Sequence, residues 1–104
     1  MEKFSIVTKV VGVQYSMCDY DIHDLNPGDR LFLIREPDNT VDPNAIAVKD
    51  SKDNKLGYIS RPLAERLAPK IDSGYILVAI VKNITGNEKI GFGLDIQINS
   101  TSDT

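Results

Sequence analysis

Short apolar stretches separated by polar turns run along most of the chain, and this pattern predicts a protein made mainly of β-strands. Six stretches have strand length, and the first of them is rich in β-branched side chains: residues 4–13, 31–34, 45–49, 55–59, 75–84 and 90–98. In the last stretch apolar side chains occupy every second position, which is the period of a strand buried on one face. Turn signals separate the stretches. In Asn26-Pro27-Gly28-Asp29, for example, proline presets the backbone and glycine accepts a positive φ.

Residues 60–72 change to the period of a helix. Their apolar side chains recur at spacings of three and four, at Leu63, Ala64, Leu67, Ala68 and Ile71. Ser60 is expected to cap the N-terminus, and Pro62 lies in the first turn, where its missing N–H costs little. Pro69 is expected to kink or end the helix, and Ser73-Gly74 to end it.

The number and spacing of these elements predict a mainly β fold, a small and partly closed six-stranded barrel with one helix inserted between strands. A barrel is favoured over a sandwich because it leaves no long unpaired edges. Gly91 and Gly93 share one face of the last strand, which suits a bent strand or a close backbone approach. We expect one domain over residues 1–98 and a polar, disordered tail over residues 99–104.

Composition is typical of one soluble domain and argues against membrane-spanning, secreted and disulfide-rich proteins. The chain has 104 residues, of which 41% are hydrophobic and 26% charged. No apolar run approaches the roughly 20 residues that span a bilayer, and Met1–Ser5 lacks the apolar core of a secretory signal. The single cysteine, Cys18, excludes a disulfide framework and a cysteine-based zinc finger. We therefore expect a cytoplasmic protein without a membrane partner.

The charge balance is acidic overall but uneven along the chain. The formal net charge of −3 argues against a protein that coats nucleic acid. Residues 55–70, however, contain four basic side chains and one acidic one, which gives this segment +3 and the remainder −6. Such a segment can meet phosphate while the rest of the surface stays acidic, although an ordinary helix exterior has the same composition.

No motif for catalysis or cofactor binding is present. The chain lacks the hydrolase nucleophile elbow, the zinc-protease His-Glu-x-x-His and the phosphate-binding loop. The only histidine, His23, lies with Cys18 in an acidic segment that could suggest a metal site or a Cys–His pair. That segment lacks the glycine and terminal glutamate of a calcium loop, and a solvated loop is the simpler interpretation. We expect no enzyme activity, no cofactor and no metal.

The segment from Arg35 to Asn44 is the densest polar cluster. Its Asp and Asn side chains are expected to accept hydrogen bonds from nearby backbone N–H groups and make the loop rigid. A rigid polar loop at a barrel mouth can also bind a ligand, with Asp42 and Asn39 meeting a hydroxyl or a base edge. Tyr58 could stack on a base or form part of the barrel wall.

Four ordered sequence blocks run through these elements. They are V-x-G-x-x-Y at residues 10–15, G-D-x-L-x-L-x-R-E-P at 28–37, N-x-V-D-x-N-A-I-x-V at 39–48 and L-G-Y-I-x-R at 56–61. In this order the chain resembles the HIRAN domain over roughly residues 6–80. The resemblance implies an OB-like barrel. It also implies DNA binding, since eukaryotic relatives bind the 3′ end of single-stranded DNA and precede a helicase-like ATPase.

Site residues follow from the same resemblance. Tyr15 would stack on a base, and Asp42, helped by Asn39, would accept a hydrogen bond from the terminal 3′-hydroxyl. Tyr58 and Arg61 would contact base or phosphate at the rim. The predicted nucleic-acid-binding set is Gln14, Tyr15, Asn39, Asp42, Tyr58 and Arg61. Two positions depart from DNA-binding relatives: Val41 replaces a usual aromatic residue, and Gln14 stands where arginine can occur, so binding is expected to be weak or directed to another ligand.

The leading hypothesis is a non-enzymatic module that binds single-stranded DNA or other nucleic-acid ends, with a separate ATPase or nuclease as a further partner. The alternative is a protein-interaction adaptor that uses a barrel edge or a loop face, which suits the acidic balance. A nucleic-acid hydrolase is disfavoured because the sequence offers no set of paired ligands and no nucleophile with its base.

Overall fold

Six strands and one helix make up the part of the chain that the computed structural model describes, which is residues 4–12, 25–87 and 91–100. The elements are β1 (Ser5–Val11), β2 (Arg30–Arg35), β3 (Ile46–Lys49), β4 (Lys55–Ile59), α1 (Arg61–Asp72), β5 (Leu77–Asn87) and β6 (Gly91–Ser100). All predicted elements are present, and several of their ends differ from the predicted bounds.

The strands form a closed antiparallel barrel in the order β1-β4-β3-β2-β5-β6. Closure occurs where β6 pairs with β1, from Ser5 opposite Asn99 to Lys9 opposite Asp95. The predicted mainly β barrel with one inserted helix is confirmed. Because each described strand has neighbours on both sides, the adaptor hypothesis loses the free barrel edge, and only its loop-face form remains.

The core lies inside the barrel and beneath α1. The alternating side chains of β6 point inward, since Leu94, Ile96 and Ile98 are fully buried. From α1, Leu67 joins the same buried cluster together with two alanines, so the face predicted from the helical period is the one that packs. None of the described residues forms a helix long and apolar enough to cross a bilayer.

The hairpin of β5 and β6 is longer than predicted. The polar residues 85–88, with a glycine among them, predict a turn after the fifth strand, but pairing continues through residues 85–87, with Thr85 opposite Gly93. A Cβ at Gly93 would lie 2.5 Å from the Thr85 hydroxyl oxygen, so the close neighbour at this glycine is a side chain and not the backbone that the sequence led us to expect. The strand β5 also starts two residues later than predicted, at Leu77.

Both ends of α1 differ in detail from the predictions. Ser60 precedes the helix, but its side chain makes no capping hydrogen bond; its carbonyl accepts the first helical bond from Ala64 at 2.8 Å. The helix also continues past Pro69 to Asp72. Proline there lies in the last turn, and the backbone N–H of Ser73 bonds to the carbonyls of the final residues and ends the helix.

The two ends of the described barrel are joined. The backbone N–H of Phe4 donates to the Ser100 hydroxyl at 2.7 Å, and the N–H of Ser100 donates to the Phe4 carbonyl at 3.0 Å. These bonds extend β6 to residue 100, past the predicted domain end at residue 98. Of the predicted tail over 99–104, residues 99 and 100 are therefore strand, and residues 101–104 lie outside the described part.

Two local features position the strands: the turn that leads into β2 and the close approach of β1 to β4. The predicted turn before β2 is confirmed, with the N–H of Asp29 bonded to the Asn26 carbonyl at 3.0 Å and Gly28 at φ +94°. At Gly57 in β4, a Cβ would collide with the Val11 carbonyl. Only glycine therefore lets β1 approach closely enough to place Val11 opposite Tyr58.

Candidate functional site

Arg35, the last residue of β2, fixes the polar loop that follows it. Its Nη1 donates to the carbonyls of Pro43 and Ala45, both at 3.0 Å. Its Nε and Nη2 donate to the two carboxylate oxygens of Asp72 at 3.0 and 3.1 Å. These bonds lower the pKa of Asp72. A single guanidinium thus joins β2, the far end of the loop and the end of α1.

Inside the loop, Asn and Asp side chains bond to the backbone as predicted. The Asn39 Oδ1 accepts from the N–H groups of Val41 at 2.9 Å and Asp42 at 3.0 Å. The Asp42 Oδ1 accepts from the N–H of Asn44 at 2.9 Å, and the Asp42 carbonyl accepts from Ala45 at 3.0 Å. The predicted hydrogen bonds from these side chains to nearby backbone N–H groups are confirmed.

The loop, the end of β1 and the end of β4 enclose a pocket of about 410 Å³. Its lining residues are Val11, Asn39, Val41, Asp42, Ala45, Tyr58, Ile59 and Arg61. Four of the six predicted site residues therefore meet in one pocket. The other two, Gln14 and Tyr15, lie outside the described residues. Sequence reasoning missed Val11, Ala45 and Ile59, which look like ordinary strand residues.

One wall of the pocket contains a carboxylate and a guanidinium. Arg61, the first residue of α1, donates from Nη2 to the Val41 carbonyl at 3.1 Å, and its Nε lies 3.6 Å from the Asp42 Oδ2. The Arg61 side chain is 64% exposed. A guanidinium has five N–H donors, so these contacts leave donors for a ligand. Asp42 likewise retains lone pairs on Oδ2, since the N–H of Asn44 donates to Oδ1.

Tyr58 also lines the pocket, and because it is half-buried it forms part of the barrel wall as well. Its hydroxyl donates to the Glu36 Oε1 at 2.9 Å and accepts from the Lys55 ammonium at 2.9 Å. Lys55 also lies 2.9 Å from the Glu36 Oε2. The Asn39 amide donates to the Glu36 Oε1 at 3.1 Å.

These contacts set the charge states of Glu36 and Lys55. Partial burial opposes ionisation of Glu36, but hydrogen bonds from Lys55, Asn39 and Tyr58 outweigh it and lower the pKa of the carboxyl. Hydrogen bonds to the Tyr58 hydroxyl and to Glu36 raise the pKa of Lys55. The pair is therefore fully ionised at neutral pH.

The basic side chains of residues 55–70 do not form one patch at the pocket. Lys55 is paired with Glu36, and only Arg61 lines the pocket. Arg66 and Lys70 line a separate groove of about 180 Å³ between α1 and the start of β1. The expected local positive charge is dispersed because the helix turns these residues to different sides. Among the described lining residues, the pocket holds one negative group, Asp42, and one positive group, Arg61.

Comparison with known proteins shows one family. A model described as the HIRAN domain matches residues 3–99. The chain is 38% identical over 68 residues to the Fanconi-associated nuclease 1 homolog of Arabidopsis thaliana, covering 65% of this chain and 7% of the relative. It is 36% identical over 83 residues to the SWI/SNF-related matrix-associated actin-dependent regulator of chromatin subfamily A member 3-like 1 of the same plant, covering 79% and 9%. The chain thus spans less than a tenth of the length of these relatives.

Two solved structures share the fold over nearly the whole chain. The crystal structure of the HIRAN domain of human HLTF superposes with a TM-score of 0.75 at 25% identity, covering 92% of this chain and 74% of that chain. A protein from Lactobacillus plantarum superposes with a TM-score of 0.71 at 28% identity, covering 96% and 100%. The described barrel is therefore of the kind seen in these two chains.

Proposed function

The chain belongs to the HIRAN domain family, and from that premise we propose that it is a non-enzymatic module that binds nucleic acid, with the 3′ end of single-stranded DNA as its ligand. The observation that carries this proposal is the pocket of about 410 Å³, in which Asp42, Tyr58 and Arg61 meet. A nucleotide offers a matching set of groups: a hydroxyl, a base with a π-face and a phosphate.

Each side chain has a role that its contacts permit. The free lone pairs of Asp42 accept a hydrogen bond from the terminal 3′-hydroxyl, while a 3′-phosphate would be repelled by the same carboxylate. The Tyr58 ring stacks on the terminal base, an interaction worth about 1–3 kcal/mol and tolerant of sequence. The remaining donors of Arg61 bind the adjoining phosphate. Asn39 contributes indirectly, because its amide group is committed to the loop backbone and to Glu36.

Gln14 and Tyr15 complete the proposed site, with Tyr15 stacking on a second base. Two features limit the affinity. Val41 lines the pocket at 77% exposure without offering a ring, and Arg61 is the single cation among the described lining residues. Few phosphate contacts mean a shallow dependence of binding on salt concentration. We therefore propose weak binding directed to strand ends, in keeping with the net charge of −3.

The named relatives support a role as one module of a larger activity. One is named as a nuclease and the other as a regulator of chromatin, and the matched region is less than a tenth of each. We propose that the present chain supplies strand-end binding to an ATPase or nuclease activity.

Fluorescence anisotropy with a labelled single-stranded oligonucleotide tests the proposal. The unsubstituted chain should bind an oligonucleotide with a free 3′-hydroxyl at least about tenfold more tightly than one with a 3′-phosphate, since a polar site discriminates strongly against a missing donor. Asp42→Asn keeps the shape of the side chain and should remove that preference. Asp53→Asn is the matched control, because it removes the same charge from an 84% exposed residue that pairs with Lys49.

Equal binding of the two oligonucleotides, or an unchanged preference in Asp42→Asn, would refute end recognition. If neither oligonucleotide binds and a protein partner is retained after nuclease treatment, with Val41→Asp abolishing its capture, the loop-face form of the adaptor hypothesis replaces the proposal. Val41 is the appropriate position for that test because it is the most exposed large apolar residue of the loop.

A further inference from the structure

Glu36 lies outside the pocket lining yet contacts two of the lining residues, Tyr58 and Asn39. Its Oε1 accepts hydrogen bonds from the Tyr58 hydroxyl at 2.9 Å and from the Asn39 amide at 3.1 Å, and its Oε2 lies 2.9 Å from the Lys55 ammonium. The Glu36 side chain is 25% exposed, so these bonds are partly shielded from water. One carboxylate therefore connects the aromatic ring to the rigid loop.

Each of these partners controls a different part of the site. Tyr58 supplies the ring, and its hydroxyl is the only polar atom by which that ring can be oriented. Asn39 bonds the N–H groups of Val41 and Asp42, and so determines where the Asp42 carboxylate lies. Because both connections end on the same oxygen of Glu36, the separation between ring and carboxylate depends on this residue.

We propose that Glu36 is a positioning residue that sets the distance between the Tyr58 ring and the Asp42 carboxylate, and that Lys55 is its counter-ion. This inference rests on the proposed function, since it concerns how the same pocket is organised. Lys55 stabilises the arrangement by balancing the Glu36 charge and by donating to the Tyr58 hydroxyl at 2.9 Å. This arrangement favours ligand binding, because a Tyr58 ring and an Asp42 carboxylate that are already in place need not be ordered when the ligand binds.

The first test uses the free chain and needs no ligand. Nuclear magnetic resonance of the full chain should show that Glu36→Ala shifts both the Tyr58 ring signals and the Asn39 side-chain amide signals. Glu36→Gln retains an oxygen acceptor and should restore most of the original shifts. Asp95→Asn is the matched control: Asp95 also pairs with a lysine, Lys9, and is 22% exposed, close to the value for Glu36. It should leave both sets of signals unchanged.

The second test is a double-mutant cycle on oligonucleotide affinity. Glu36→Ala should weaken binding about tenfold and Tyr58→Phe about threefold, values within the usual range for coupled neighbours. If Glu36 acts through the Tyr58 hydroxyl, Tyr58→Phe should have almost no further effect in the Glu36→Ala background. Glu36→Gln should recover most of the affinity, and Asp95→Asn should bind like the unsubstituted chain.

The outcomes separate this inference from the proposed function. Unchanged Tyr58 and Asn39 signals in Glu36→Ala, or additive effects of the two substitutions on affinity, would overturn the positioning role while strand-end binding stands. Failure of the unsubstituted chain to bind any oligonucleotide would refute the proposed function. The resonance shifts alone would then decide whether Glu36 positions Tyr58 and Asn39.

Discussion

Replacing Arg35 with alanine removes the side chain that joins β2, the polar loop and the end of α1. Four hydrogen bonds are lost, two to backbone carbonyls and two to Asp72. The bonds to Asp72 contribute little stability, because that carboxylate lies at the surface and is 56% exposed. Each bond from the charged guanidinium to a loop carbonyl contributes about 1–1.5 kcal/mol, so the free energy of unfolding should fall by about 2–3 kcal/mol.

Urea and thermal unfolding measure this loss directly. For a domain of this size the midpoint temperature should fall by roughly 10 °C or more. Lys9→Ala is the matched control, because Lys9 is 74% exposed and makes one ion pair, with Asp95, so its loss should be close to zero. Arg35→Ala should also abolish strand-end preference, since the loop that contains Asp42 loses its attachment. A cost no larger than that of Lys9→Ala would refute the conclusion that Arg35 fixes the loop.

Three further predictions concern the pocket and the barrel. Val41→Tyr adds a ring at a 77% exposed pocket position, so oligonucleotide affinity measured by anisotropy should rise about tenfold without loss of stability; an unchanged affinity would show that no base lies there. In the folded chain, burial raises the pKa of Glu36, but hydrogen bonds outweigh it and lower the pKa below the ordinary value of 4.5. The ionised Glu36 therefore stabilises the fold above pH 4.5, and this stabilisation is lost as the pH falls through the folded-state pKa. Urea unfolding at a series of pH values should therefore show Glu36→Gln less stable than the parent chain at pH 7 and equal to it in strong acid, and a gap independent of pH would contradict this. Gly57→Ala should cost about 1–3 kcal/mol or more in the same assay, because its Cβ collides with the Val11 carbonyl, and a neutral result would mean that β1 can move away freely.

The parts of the structure that sequence reasoning predicted are those governed by local chemistry. The alternation along β6 follows from burial of one strand face, and the bonds made by Asn39 and Asp42 span only two or three residues. Such patterns are legible in a single sequence because both partners lie within one turn or strand. The predicted length of the β5–β6 hairpin was wrong. Gly86 and its polar neighbours resemble a turn, but cross-strand pairing extends both strands through them.

Contacts between distant residues were not predictable in the same way. Tyr58 and Glu36 are separated by 22 positions, and Arg35 and Asp72 by 37. Nothing in the local sequence distinguishes Lys55, which pairs with Glu36, from a lysine that would meet phosphate. The family resemblance brought the pocket residues together, but the side chains that orient them became visible only with the closed barrel.

The hydrogen bonds between Phe4 and Ser100 have a consequence for how this barrel can be joined to other proteins. They place the entry and exit of the described chain side by side at the start of β1, whereas Val11, at the other end of that strand, lines the pocket. A strand of 7 residues rises by roughly 20 Å, so the two points lie on opposite sides of the barrel. The described barrel can therefore be joined to a host polypeptide at the end where Phe4 and Ser100 meet, while its pocket lies at the other end.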